Sequence, residues 1–303
     1  MYRILKIGMD VHTTNYTLCA LESKFGEEDA VLANITVGPD HKNILDFVRR
    51  IKEKMDPKGK DNIDVECGYE AGCLGYSLYR VLTACKLKCT ILAPTTMHSE
   101  KGPRIKTDRR DARLIAQCLS NGGYHAVHIP TAEDNAVKEY VRMRDDHKLA
   151  LKKLKQQTNA LCIRFGFLYD GTKWTGIHLK WLRTLELPEL IRETLNEYLV
   201  TYDELTAKIA RFDQRIQEIA GQEQYREKVR KLECFLGIKT HTALSLIVET
   251  GDFIRFRKGN VYAAYLGLAP GEHSSAESGG RLGITKAGNS HLRRLLIEAA
   301  GGI

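Results

Sequence analysis

The apolar positions of the first 125 residues follow two alternating periods. "YRILKIGMDV" and "YTLCALES" read as strands joined by the short polar turn from His12 to Asn15, and "AVLANITVG" reads as a third strand of the same antiparallel meander. The period then lengthens, since "HKNILDFVRRIKEKM" sets Ile44, Phe47, Val48 and Ile51 at helical spacing. After it come a short strand, "NIDVECGYE", a helix, "LGYSLYRVLTAC", another strand, "KCTILAP", and a final helix, "TDRRDARLIAQCLS".

Three strands followed by helix, strand, helix, strand and helix predict an α/β domain over residues 1–125 of the RNase H-like, RuvC-like kind. In such a sheet the first three strands are antiparallel and right-handed crossovers build the rest. From about residue 131 the strand signal stops and long helical patterns fill residues 131–230. Leu151, Leu154, Leu161 and Phe165 form one stripe, while Tyr202, Leu205, Ile209, Phe212, Ile216 and Ile219 form a second, heptad-like one. Two arrangements satisfy that second stripe: an antiparallel hairpin folded on itself, or a coiled coil joining two protomers. "GFLYDGTKWTG" breaks the two helical arms.

Residues 231–303 read as a third, mainly α segment. "LECFLGIKTHTALSLIVETGDF" predicts a helix, a tight turn at Gly237 and a second helix. This is a helix-hairpin-helix-like element whose turn would offer backbone N–H groups to a phosphate. "FIRFRKGN", "SGGRLGITKAGN" and "HLRR" then bring Gly, Ser and basic residues together, Lys286, Arg293 and Arg294 among them.

Charge sharpens the picture modestly. Lys and Arg number 46 against 38 Asp and Glu, a formal +8, which favours an acidic partner such as nucleic acid. The eight cysteines, Cys19, Cys67, Cys73, Cys85, Cys89, Cys118, Cys162 and Cys234, sit mostly within apolar runs and lack paired C-x-x-C spacing, so they read as reduced core thiols and not as zinc ligands. "MYRILKIGMDVH" does not resemble a signal peptide and no run of 18 apolar residues occurs, which points away from membranes and toward the cytoplasm, in association with the nucleoid.

"GPRIKTDRRDARLIAQ" carries the chemistry most openly. Asp108 and Asp111 share a helical face, and Lys101, Arg104, Lys106, Arg109, Arg110 and Arg113 surround them. Ion pairing on a solvated helix would account for that stretch alone. In an RNase H-like domain, however, the first strand commonly ends in an acid, here Asp10, and the fourth supplies another, for which Glu66 and Glu70 compete. Carboxylates converging from three elements make an oxygen cage for Mg²⁺ or Mn²⁺, while the basic residues would hold flanking phosphates. Arg144, Lys148, Lys152 and Lys155 form a second basic stripe, suited to a nucleic-acid backbone or simply to solvent. Sugar kinases and actin-like ATPases share this fold, but His12 stands where their first phosphate loop needs a glycine.

Four motifs, "GMDVH", "YEAGCLGYSLYR", "KTDRRDARLIA" and "YLGLAPGEHSSAESGGRLGITKAGNSHLRRLLIEAA", span the chain in order. With them the chain resembles the DEDD-type transposases of the insertion-sequence family numbered one hundred and ten, in its eleven-eleven subgroup, and the related Piv-type DNA invertases. The resemblance implies that Glu70, in "YEAG", completes a metal-binding catalytic quartet with Asp10, Asp108 and Asp111. It implies a serine nucleophile downstream of "GLAP", placed at Ser275 by spacing, with Ser278, which precedes Gly279, as second choice. It further implies DNA element ends and target as substrates, a noncoding guide RNA (a bridge RNA) that specifies them, and a homo-oligomer, dimer or tetramer, whose protomers share a composite site. The alternatives are an RNase H-like nuclease resembling Holliday-junction resolvases, with no covalent intermediate, and an inactive nucleic-acid-binding remnant. The chain stops at "LLIEAAGGI", where members of that family usually continue, so the expectation is a short copy or a loss of distal segments.

Overall fold

The computed structural model describes residues 2–23, 29–59, 62–97, 107–273 and 280–301, and these form two compact units, Met1–Ile129 and Pro130–Ile303. In the first unit, β1 (Tyr2–Val11), β2 (Tyr16–Ser23) and β3 (Ala30–Val37) form the expected antiparallel meander. Helix α1 (His41–Met55) leads to β4 (Asn62–Glu70), α2 (Ser77–Ala84) to β5 (Lys88–Leu92), and α3 (Asp108–Asn121) follows. The sheet order is β3-β2-β1-β4-β5, with β4 parallel to both β1 and β5. That topology is the RNase H-like, RuvC-like fold.

Side chains alternate across the sheet, so each face has its own cover. Leu5, Ile7 and Met9 of β1 join Leu18, Tyr69, Ile91 and the apolar stripe Ile44, Phe47, Val48 and Ile51 of α1 in one core. On the opposite face Cys19 and Leu21 meet Ala112 and Ala116 of α3. Gly8 lies on this second face, and a Cβ there would stand 2.0 Å from the Ala112 carbonyl oxygen and 2.3 Å from the Ala116 nitrogen. Helix α3 therefore rests backbone to backbone on β1, which only a glycine facing two alanines allows.

The second unit holds α4 (Ala132–Arg164), α5 (Gly176–Thr184), α6 (Glu189–Ala220), α7 (Glu223–Glu233), α8 (Thr240–Thr250), α9 (Gly259–Tyr265) and α10 (Ser290–Gly301). Helices α4 and α6 pair within the chain: Phe212 packs edge-on against Tyr140 and His147, and farther along, Lys155 lies over the Trp174 and Tyr202 rings. The heptad-like stripe is thus used in an intramolecular hairpin. Ile216 and Ile219 share a core with Val137, Val141, Tyr225, Val229, Leu244 and Ile247, so helices on both sides of residue 230 pack together. Phe165, expected on the inward stripe of the first arm, caps α4 and stands exposed.

The absence of strands beyond residue 131 is corrected by a two-stranded antiparallel hairpin, β6 (Pro270–His273) with β7 (Gly280–Ile284). Its strands are short, glycine-bearing and opened by proline, so no period-two pattern advertised them. Gly237, at the expected turn between α7 and α8, has φ +83°, and a Cβ there would stand 2.2 Å from the Ala299 carbonyl oxygen, so close packing on α10 accounts for this glycine. Five cysteines are buried as expected, whereas Cys73, Cys85 and Cys234 are exposed. Among the described residues no helix is long and apolar enough to cross a membrane.

Candidate acidic active site

Asp10 lies two residues beyond Gly8, so it faces α3 from the same side of the sheet. Gly8 lets α3 approach, and the first turn of that helix brings Asp108 and Asp111 to the end of β1. At the other edge of the meander, Asn34 of β3 donates from Nδ2 to the Arg109 carbonyl at 3.3 Å, tying the first turn of α3 to the sheet. Both acids also occupy the positive end of the helix dipole, where negative charge is favoured.

Ligand atoms of Asp10, His12 and Asp108 lie within 4.8 Å of one another. His12 Nε2 sits 3.3 Å from Asp10 Oδ2. Burial raises the Asp10 pKa above the usual carboxylate value; His12 lowers it, while the charges of Asp108 and Asp111 raise it further. Like charges gathered at a half-buried carboxylate are what a bound cation would relieve. The oxygen donors suit a hard divalent ion, with His12 beside Asp10 and close enough to orient it.

Glu70 ends β4, one residue beyond the Met9 and Tyr69 pairing of β1 with β4, so Asp10 and Glu70 leave adjacent parallel strands at the same level. The chain just after it is anchored by the buried Tyr69 hydroxyl, which donates to the Gly75 carbonyl at 3.1 Å and accepts from the Tyr79 amide at 3.1 Å. Glu66, the competing acid, is opposite Lys6 in register and accepts a 2.6 Å hydrogen bond from Lys6 Nζ, with Lys88 Nζ at 3.5 Å. The structure therefore gathers Asp10, Asp108 and Asp111, sets Glu70 level with Asp10, and ties Glu66 to lysines along the strand.

Sequence comparison identifies the family. A transposase profile for the DEDD domain of IS110 elements matches residues 7–162, and that of the Transposase IS116/IS110/IS902 family matches residues 229–302. The transposase for insertion sequence element IS1533 of Leptospira borgpetersenii is 34% identical over 86% of this chain and 73% of its own. The putative transposase y4qE of Sinorhizobium fredii is 31% identical over 99% of this chain and 72% of its own. The chain belongs to the IS110/IS116 family of insertion-sequence transposases. The transposase for element IS1111A of Coxiella burnetii is a further relative, 25% identical over 84% of this chain and 70% of its own. Among solved structures, Thermus thermophilus RuvC covers 41% of this transposase and 99% of its own chain, at 12% identity and a TM-score of 0.28. The fold assignment rests on the strand order and not on that superposition. Nucleases of this fold generally use divalent metal ions.

The remaining expected site residues of the transposase divide sharply. Arg109, Arg110 and Arg113 are exposed on α3 beside the acids, and Lys148, Lys152 and Lys286 are exposed in the second unit. Arg144 is not on the surface stripe: its Nε and Nη2 donate to Asp213 Oδ1 and Oδ2 at 2.7 and 3.1 Å, and its Nη1 donates to Asp145 at 3.1 Å. Lys155 is occupied by its two aromatic rings. Arg293 donates to the Leu266 carbonyl at 2.8 Å, and Arg294 to Asp145 at 2.6 Å and Glu298 at 3.2 Å. Ser275, Ser278, Lys101, Arg104 and Lys106 lie outside the described residues. His12, just past the end of β1, joins these acids, and its spacing two residues after Asp10 is the one local signal of that role.

Proposed function

We propose that this transposase cuts and rejoins DNA through a serine hydroxyl, assisted by a divalent cation, Mg²⁺ or Mn²⁺, at Asp10, Glu70, Asp108 and Asp111. The single observation that carries this reading is the convergence of Asp10 and Asp108, with Asp111 close by, at the open end of β1. A cation bound there would neutralise phosphate oxygens and stabilise charge that develops on them. The carboxylates hold it, His12 orients Asp10, and Arg109, Arg110 and Arg113 grip neighbouring phosphates. Ser275 Oγ, or Ser278 Oγ in the second choice, attacks phosphorus. An Oγ–P bond forms, the P–O bond to one sugar breaks, the serine proton leaves, and the departing sugar oxygen takes one up. The energy of the broken bond stays in the phosphoserine link, so a second DNA hydroxyl can reverse the step on a new strand.

The finer features are supported by the family resemblance alone. A noncoding guide RNA would specify element ends and target, and a homo-oligomer, dimer or tetramer, would bring an acidic site and a serine together from different protomers. Residues 1–125, 131–230 and 231–303 then serve as acidic domain, assembly segment and serine-bearing segment. The acidic cluster by itself also suits a hydrolytic nuclease with no covalent intermediate. A denaturing gel with element ends, guide RNA and Mg²⁺ separates the readings. A protein–DNA adduct lost in Ser275→Ala supports the proposal, and loss only in Ser278→Ala moves the nucleophile. Cleavage without an adduct favours the nuclease, and neither product indicates a protein that binds without cutting.

A further inference from the structure

The stem of the β6–β7 hairpin is closed by backbone. Thr285 N–H donates to the Ala269 carbonyl at 2.9 Å, Lys286 N–H to Gly267 at 3.0 Å and Asn289 N–H to Tyr265 at 3.4 Å. Gly267 and Gly288 have φ +70° and +111°, and Cβ atoms on them would stand 2.1 Å from the Ala287 and Tyr265 carbonyl oxygens respectively. The two limbs thus touch where side chains would hold them apart. The returning limb runs directly into α10, and at that junction the stem meets two buried carboxylates.

Glu249, in the last turn of α8, has a side chain only 1% exposed. It accepts from Arg142 Nε and Nη2 of α4 at 2.8 and 2.7 Å, from Asn289 Nδ2 at 2.6 Å, and pairs with His291 Nδ1 at 2.5 Å. His291 Nε2 lies 2.8 Å from Asp145 Oδ2 of α4. Ionised carboxylates only accept, so both ring nitrogens must carry hydrogens and the ring is an imidazolium clamped between α8 and α4. Burial would lower the His291 pKa, but its bonds to Asp145 and Glu249 outweigh this and raise it to about 9. Asn289 Oδ1 meanwhile accepts from the His291 and Leu292 amides, both at 3.1 Å, capping α10 with the residue that also reaches Glu249. Apolar residues of similar volume would stabilise such a place as well as buried ions do; what charged hydrogen bonds add is direction.

We propose that Asn289 and His291 are positioning residues for the β6–β7 hairpin, locking its returning limb onto α4 and α8 through Asp145 and Glu249. This rests on the reading that the hairpin carries the nucleophile. Amide hydrogen exchange of the 303-residue chain reads the lock without any DNA chemistry. In Asn289→Ala and in His291→Gln, the Thr285 and Lys286 amides should exchange at least about tenfold faster while Ala243 and Ile247 amides of α8 keep their rates. Single-turnover cleavage with saturating DNA should slow by a similar factor, with DNA affinity held within about twofold. Unchanged stem exchange overturns the proposal, as does acceleration of α8 in step with the stem, which would mark a merely structural role. If one variant fails to fold, the other still decides. Loosened stem amides in a protein whose wild type forms no adduct would keep the positioning role and remove the serine reading. A stem unmoved by either substitution beside a normal adduct would do the reverse.

Discussion

Two groups of carboxylates in this transposase face opposite electrostatic fates. Asp145 and Glu249 are the more deeply buried, yet burial does not decide their ionisation. Burial would raise both, but hydrogen bonds and charge from His291, Arg294 and the nearby His241 hold Asp145 far below the usual carboxylate range, and Arg142, His291 and Asn289 bring Glu249 down to about 2. His241 Nε2 lies 3.1 Å from Asp145 Oδ1. Asp10 is shallower, but burial and two neighbouring aspartates leave its pKa raised. A buried acid surrounded by arginine and imidazolium is complete, whereas a cluster of acids facing one another has room for a cation from outside.

That contrast is open to direct attack. The largest effect is expected from Asp10→Asn, which should reduce strand cleavage by roughly a thousandfold while leaving the melting temperature unchanged or higher, since it removes repulsion. A marked fall in melting temperature would mean that Asp10 belongs with the complete set. Asp145→Ala should do the opposite, costing about 3–5 kcal/mol of stability because Arg144, His291 and Arg294 each lose one of their two carboxylate partners. Chemical denaturation of the 130–303 unit tests this, and a loss below about 1 kcal/mol would sink the comparison. Gly8→Ala links the two kinds of effect, because its methyl would force α3 off β1. We expect about 1–3 kcal/mol of destabilisation and a cleavage loss larger than that destabilisation explains. Smallest is a pH effect. The folded His291 pKa, about 9, lies above its ordinary 6.5, so its stabilising contribution is complete below 6.5 and lost as pH rises through 9. Glu249 runs the other way, contributing fully above 4.5 and losing its effect as pH falls toward 2. Melting temperatures between pH 5 and 10 should fall on the alkaline side, and His291→Gln should flatten that limb.

Much of the first unit was legible because its elements are locally periodic. Alternating strands, the α1 stripe and the order of the crossovers follow from neighbours a few residues apart. Asp10, Asp108 and Asp111 could be nominated for the same reason, since a strand end and a helical face are local properties. The second unit was harder. Asp145 continues the inward stripe of Val137 and Val141, but the first aspartate of "RMRDDHK" carries no mark of the histidines and arginines that receive it. Arg144 looked like one more cation on a basic helix, and only the approach of α6 turns it onto Asp213.

The amino-acid sequence by itself determined the α/β order of residues 1–125, the helical character that follows, and which acids could share a face. It also contained Gly8, Ala112 and Ala116, whose small size sets how closely α3 can approach. The tertiary structure alone decided that His12 joins Asp10 and Asp108, that Glu66 is taken by Lys6, and that His291 bridges two carboxylates from different helices. Periodicity is written by neighbours along the chain, while the partner of a charge is chosen by packing among residues far apart in sequence, where desolvation makes each pairing decisive.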